Sequence, residues 1–132
     1  LIREGHFPSV AAIPPEFHGA SRTAYPNARI VFSEVGWASK VRGSQEEQAE
    51  FVRNMPRIFS TARPELVTWA VLHDMEFYTR GLLSPEAEQF LLSIGVDIDA
   101  LFGHFNAMGL IDGYGNKKPG WNDALELDFT PP

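Results

Sequence analysis

The stretch Ala28-Arg29-Ile30-Val31-Phe32-Ser33-Glu34-Val35-Gly36-Trp37 decides how the chain is read. Its first six residues, 28–33, make a short β-branched and aromatic run, the composition of a strand buried on both faces of a parallel sheet. The run stops at a carboxylate, Glu34, with Gly36 and Trp37 just beyond it. A carboxylate at the end of a buried strand is costly to ionise unless donors surround it or chemistry requires it. Composition alone leaves two readings side by side. Glu34 is either a salt-bridged loop residue or a reactive group next to a flexible backbone and a flat apolar ring.

Outward from this stretch the pattern changes period. Ser44 with Glu47 three residues on makes a capping box, and Phe51, Val52, Met55, Ile58 and Phe59 follow helical spacing. Pro56 removes the bond its nitrogen would donate to Val52, which predicts a kink or break near Asn54, with the helix over before Pro64. Residues 66–72 read as a second strand that ends at His73 and Asp74. Strand, helix and strand form a βαβ unit with parallel strands and a right-handed crossover. Their carboxyl ends share one edge, so Glu34, His73 and Asp74 are expected together where α/β proteins bind ligands.

The flanks are less regular. Residues 1–28 are rich in Pro, Gly, Ala and aromatics and read as loop with a helical turn near 16–21. Ser84-Pro85-Glu86 opens a short helix whose apolar face is Phe90, Leu91 and Ile94, ended by Gly95. A further short turn is expected over 98–102, a turn-rich segment over 109–116 and a final helix over 119–125. The expected class is α/β, with residues 1–132 as one domain and no linker or repeat.

Composition narrows the functional classes. The 132 residues are 44% hydrophobic, lack cysteine, and carry 11 Lys and Arg against 17 Asp and Glu, a net charge of −6. Such a balance disfavours a phosphate-tracking nucleic-acid surface. No apolar run reaches the roughly 20 residues that span a bilayer, and residues 1–6 do not open a signal peptide. His6, His18 and His104 are widely spaced and give no metal-ligand pattern, and Lys117-Lys118 reads as a solvated pair. No cofactor motif is present, since Gly113-Tyr114-Gly115 lacks the strand and helix of a phosphate fingerprint.

The string Phe32-Ser33-Glu34-Val35-Gly36-Trp37-Ala38-Ser39 resembles the "(S/T)-E-x-G-W-x-S" segment on the seventh strand of clan A glycoside hydrolases, which are (β/α)8-barrel retaining glycosidases of the endo-β-galactanase, β-1,3-glucanase and cellulase-like kind. Phe7-Pro8-Ser9 and Ile13-Pro14-Pro15-Glu16-Phe17 look like that family's "Y-P-S" and "(I/L)-P-x-x-(Y/F)" segments after strand six. Trp69-Ala70-Val71-Leu72-His73-Asp74 is similar to its eighth strand. The residues from Gly109 to Trp121 resemble its "G-L-x-D-x-x-G-x-x-K-P-A-W" entry to the last helix. Two positions depart from the pattern: Phe7 stands where many relatives have Tyr, and Gly120 where Ala is usual.

The resemblance implies the C-terminal part of a TIM barrel: the loop after strand six, strand seven, helix seven, strand eight and helix eight. A complete barrel takes about 250 residues, so the chain is expected to be one incomplete domain that needs the N-terminal strands as partner. It further implies hydrolysis of a β-linked oligo- or polysaccharide by double displacement, with Glu34 as nucleophile and Trp37, Trp69, His73, Asp74 and Phe7 as substrate contacts. Neither cofactor nor metal is implied, and the full-length protein is expected to be secreted. Retention requires a second carboxylate about 5–5.5 Å from the first. In the family it follows an Asn on strand four, and no Asn-Glu pair occurs in this chain.

Asp74 and Glu76 are within reach of Glu34 across adjacent strands about 4.8 Å apart, although the resemblance gives those positions to substrate contact or loop support. Strand parity leaves two registers open. Either Thr68, Ala70, Leu72 and Asp74 face the barrel interior, or Trp69, Val71 and His73 do. Two other functional classes compete: a non-catalytic carbohydrate-binding or interaction module, and an incomplete gene product without activity of its own.

Overall fold

A computed structural model describes residues 7–41, 43–75 and 79–129. Two 3-10 turns, Val10–Ala12 and Pro15–His18, lead into helix α1 (Gly19–Ala24). The chain then forms strand β1 (Val31–Val35), helix α2 (Gln45–Ile58) and strand β2 (Leu66–Trp69). Helices α3 (Pro85–Ser93), α4 (Ile98–Asn106) and α5 (Gly120–Leu125) follow. β1 and β2 pair in parallel, so the expected βαβ unit is present.

Boundaries differ from the sequence reading because pairing, not propensity, sets them. β1 starts at Val31 rather than at residue 28, and Glu34 lies inside the strand instead of after it. β2 leaves the ladder after Ala70, whose N–H donates to the Val35 carbonyl at 2.8 Å, so the expected strand over 66–72 is cut short. α2 begins as predicted, with the Ser44 hydroxyl accepting the Glu47 N–H at 3.1 Å. Of the expected kink or break near Asn54, the break is absent, since the helix runs on past Pro56 to Ile58. An interior proline costs about 3 kcal/mol, while each fully buried large apolar side chain returns about 1.5–3 kcal/mol. Met55 and Ile58, both buried on the proline's own turn, are enough to offset it.

The core sits where α2 meets the sheet and the N-terminal segment. Phe51, Met55, Ile58 and Phe59 bury themselves with Val10 and Ile13, and Phe32, Val35, Val67 and Trp69 pack against this cluster from the strands. Two arginines tie loops to it. Arg57 donates to the Ile13 carbonyl at 2.7 Å, and Arg22 donates to the Ala28 and Arg63 carbonyls, both at 2.9 Å. α5 closes the other side of α2, where Gly120 lies against Ala49 and Val52.

Two expectations about the C-terminal half are corrected. The residues read as a short turn over 98–102 form the full helix α4, capped by Asp97, whose carboxylate accepts the Ala100 N–H at 3.0 Å. The expected apolar face of α3 is not buried as a unit: Phe90 and, just past the helix end, Ile94 remain exposed, and Leu91 is half-buried.

Candidate functional site

The ladder register holds the key feature of β1. Phe32 pairs with Val67 and Val35 with Trp69, so three steps on β1 oppose two on β2, and one extra residue is accommodated as a bulge. Glu34 occupies this irregularity with φ +59°, in the left-handed region that non-glycine residues seldom adopt. Val41 and Arg63 share that backbone sign, but both lie in loops; Glu34 does so inside a strand. The bulge keeps Phe32 and Val35 on the α2 side and leaves Ser33 and Glu34 exposed. The Glu34 N–H, withdrawn from regular pairing, lies 3.3 Å from the Thr68 hydroxyl.

Ser33, Glu34, Val35 and Gly36 line a cavity of about 350 Å³. Ala70, Phe51 and Phe59 give it apolar surface, and His104, Phe105 and Met108 contribute from the end of α4 and just beyond. His18 also lines it. The imidazole stacks on Phe59 at 4.6 Å and meets the edges of Phe17 and Phe32 at 5.0 and 5.1 Å. Burial lowers its pKa below the ordinary 6.5, and its Nε2 is enclosed without a hydrogen-bond partner among the described residues.

The segment after α4 is fastened across the carboxyl ends of the strands. A Cβ on Gly36 would lie 2.1 Å from Met108 Cε, so the Met108 methyl occupies the space that the absent side chain leaves beside the Glu34 strand end. Gly109 is the more constrained of the two, because a Cβ there would fall 2.2 Å from the Asp74 backbone nitrogen, which cannot swing aside. Gln48, fully buried on α2, donates through its amide to the carbonyls of Trp37, Met108 and Gly109. Trp69 Nε1 donates to the Met108 carbonyl at 2.8 Å.

A second polar cluster lies beneath. Lys118 Nζ sits 2.6 Å from the Asp74 carboxylate and 2.7 Å from the Ser39 hydroxyl. Asp74 also accepts the Gly109 N–H at 3.0 Å, and its other oxygen lies 3.9 Å from the Lys40 ammonium, with no hydrogen bond among the described residues. Burial pushes the Lys118 pKa below that of an ordinary lysine, and the bond to Asp74 resists the shift. Lys118 is therefore not half of a solvated pair. Lys117 alone is exposed, with its ammonium 4.9 Å from the Trp121 ring centroid.

Of the six residues singled out from the sequence, Glu34 alone lines the cavity. Trp37 stacks on Phe51 at 5.0 Å, and Trp69 packs against the same core, so both indoles serve the sheet–helix interface. Phe7 is half-buried, edge-on to Phe17 at 5.2 Å. His73 is exposed and bridges Ile111. Asp74 is enclosed by Lys118, which removes it as the second carboxylate beside Glu34. Along β2 the contacts alternate: Val67 and Trp69 pack against the α2 core cluster, whereas the Thr68 hydroxyl accepts the Glu34 N–H and Ala70 lines the cavity. His6 and Glu76 lie outside the described residues.

Sequence reasoning missed Gln48, Lys118, His104 and Phe105. A signal existed for Gln48, a polar residue at the helical spacing of Phe51, Val52 and Met55. For Lys118 the signal was its match to the K of the terminal motif; its burial was not legible, because it depends on a partner 44 residues away. Among the described residues no cluster of His, Asp and Glu is arranged to hold a metal ion, and no helix is long and apolar enough to cross a membrane. No family model matches the chain, and neither does any curated protein or solved structure.

Proposed function

We propose that this chain is the C-terminal portion of a (β/α)8-barrel retaining glycoside hydrolase and that Glu34 is its nucleophile. The observation that carries the proposal is the left-handed backbone of Glu34 within a bulged strand, at the mouth of a cavity with mixed polar and aromatic lining. Such a conformation costs about 1–3 kcal/mol and persists at sites where the aim of a side chain matters more than stability. The motif around Glu34 supplies the chemical class. In that reading the carboxylate attacks the anomeric carbon of a β-linked sugar, the glycosidic oxygen leaves with a proton from a second carboxyl group, and water then cleaves the glycosyl ester. The second group is expected from strands that complete the barrel.

The uncovered side of the sheet agrees with this. Parallel sheets are normally covered on both faces, yet Val31 and Leu66 are 54% and 52% exposed on the side away from α2. A module that merely holds sugar on Trp37 has less support, because that ring is engaged by Phe51. The test uses 2-deoxy-2-fluoroglycosyl fluorides of gluco and galacto configuration. Fluoride departs without protonation, so trapping needs the nucleophile and not the missing acid. The expected result is one fluoroglycosyl adduct on the peptide carrying Glu34, absent in Glu34→Gln. No adduct, or an adduct elsewhere, overturns the assignment.

A further inference from the structure

We infer that His104 and Phe105, on the last turn of α4, are substrate-contacting residues that bind the sugar ring attacked by Glu34; the inference rests on the reading of Glu34 as nucleophile. Both side chains line the same cavity as Glu34 and Ser33, although they stand some 70 residues away in the chain. Their position is fixed rather than incidental. Ala107, immediately after this turn, accepts the Ser39 N–H at 2.9 Å and the Ser39 hydroxyl at 3.0 Å. Asn106 accepts the Met75 N–H at 3.1 Å, and Met108 fills the space that Gly36 leaves open. The end of α4 is thereby bolted to both strand ends.

The lining suits an uncharged, polyhydroxylated ring. A pyranose presents apolar C–H faces and a polar rim, and the cavity offers aromatic surface from Phe105 and Phe59 beside the polar groups of Ser33, Glu34 and His104. Its volume of about 350 Å³ lies at the lower end of the range for small-ligand sites, the size for one ring rather than a chain of rings. His73 and Asp74, the groups expected from the adjacent strand, are respectively outside this cavity and locked to Lys118. His104 and Phe105, from the last turn of α4, line it instead.

The experiment follows inactivation of the 132-residue chain by the 2-fluoroglycosyl fluoride that labels Glu34, separating the binding constant KI from the inactivation rate kinact. His104→Ala and Phe105→Leu are expected to raise KI about three- to tenfold, the worth of one hydrogen bond or one aromatic contact, with kinact within about twofold of wild type. Tyr114→Ala, in the exposed turn, is the control and leaves both constants unchanged. Circular dichroism confirms that each variant is folded; should Phe105→Leu lose structure, His104→Ala and His104→Gln carry the test. Labelling of Glu34 with KI unchanged in the His104 variants overturns this inference and leaves the nucleophile standing. A fall in kinact at constant KI overturns it as well, since the residue then acts on the chemistry and not on binding. Absence of labelling in the wild-type chain overturns the nucleophile assignment and this inference with it.

Discussion

The two faces of the β1–β2 ribbon both carry large apolar residues, and these have opposite fates. Towards α2, Phe32, Val35, Val67 and Trp69 meet a closed aromatic and aliphatic core. On the other side, Val31 and Leu66 stand exposed, next to Ser33 and Glu34. β-branched residues do not distinguish these faces, because Val35 and Val67 lie on one and Val31 and Thr68 on the other. The helix that covers one face sets its burial, and the bulge at Glu34 shifts two consecutive residues onto the other. One face thus stabilises the unit, while among the described residues the other stays open.

The sharpest way to break this contrast is to cut into each face with the same change. Phe51→Ala, beneath the strands, is expected to destabilise by about 3–5 kcal/mol in chemical denaturation, whereas Leu66→Ala on the open face costs less than about 1 kcal/mol. Equal losses would mean that the open face is covered in solution. Lys118→Met comes next, with a loss of about 3–5 kcal/mol, because it strands the Asp74 carboxylate inside the protein. Combining it with Asp74→Leu should recover much of that loss, and a double variant no better than the single would show that the pair is not a closed unit.

Glu34→Gly acts in the opposite direction. Glycine accepts φ +59° without a steric penalty, so the variant is expected to gain up to about 1 kcal/mol in stability while losing all covalent labelling. A destabilised Glu34→Gly would show that the side chain, not the backbone, is what the bulge accommodates.

The smallest effect concerns pH. Burial holds the His18 pKa below its unfolded value of 6.5, so between those two values the unfolded chain binds a proton that the folded chain does not. The contribution of His18 is complete above pH 6.5 and is lost as pH falls towards its depressed folded pKa. His18→Phe, which keeps a ring on Phe59, should flatten stability between pH 7 and 5; an unchanged slope would place the titration elsewhere.

Much of the βαβ unit was legible in the sequence because its signals are local. Ser44 and Glu47 announce the start of α2, and the spacing of Phe51, Val52, Met55 and Ile58 announces its buried face. The carboxylate at the end of an apolar run singled out Glu34 before any geometry was known. Trp37 and Trp69 misled because an exposed platform and a core ring have the same composition; only the neighbouring Phe51 tells them apart. Asp74 misled for a similar reason. Its identity as a strand-end carboxylate is local, but its capture depends on Lys118, which reaches it only after α3, α4 and a turn have intervened.

The sequence by itself determined the parallel βαβ unit, the caps of α2 and α3 and the placing of Glu34 at the carboxyl edge. Each follows from the period of apolar residues, or from a side chain bonding a backbone group three residues away. Tertiary structure alone decided that Pro56 stays inside its helix, that Glu34 adopts a left-handed backbone, and that His104 and Phe105 share its cavity. Those outcomes turn on burial and hydrogen bonds between residues far apart in the chain. Such contacts outweigh a local cost of a few kcal/mol only once the whole unit has assembled.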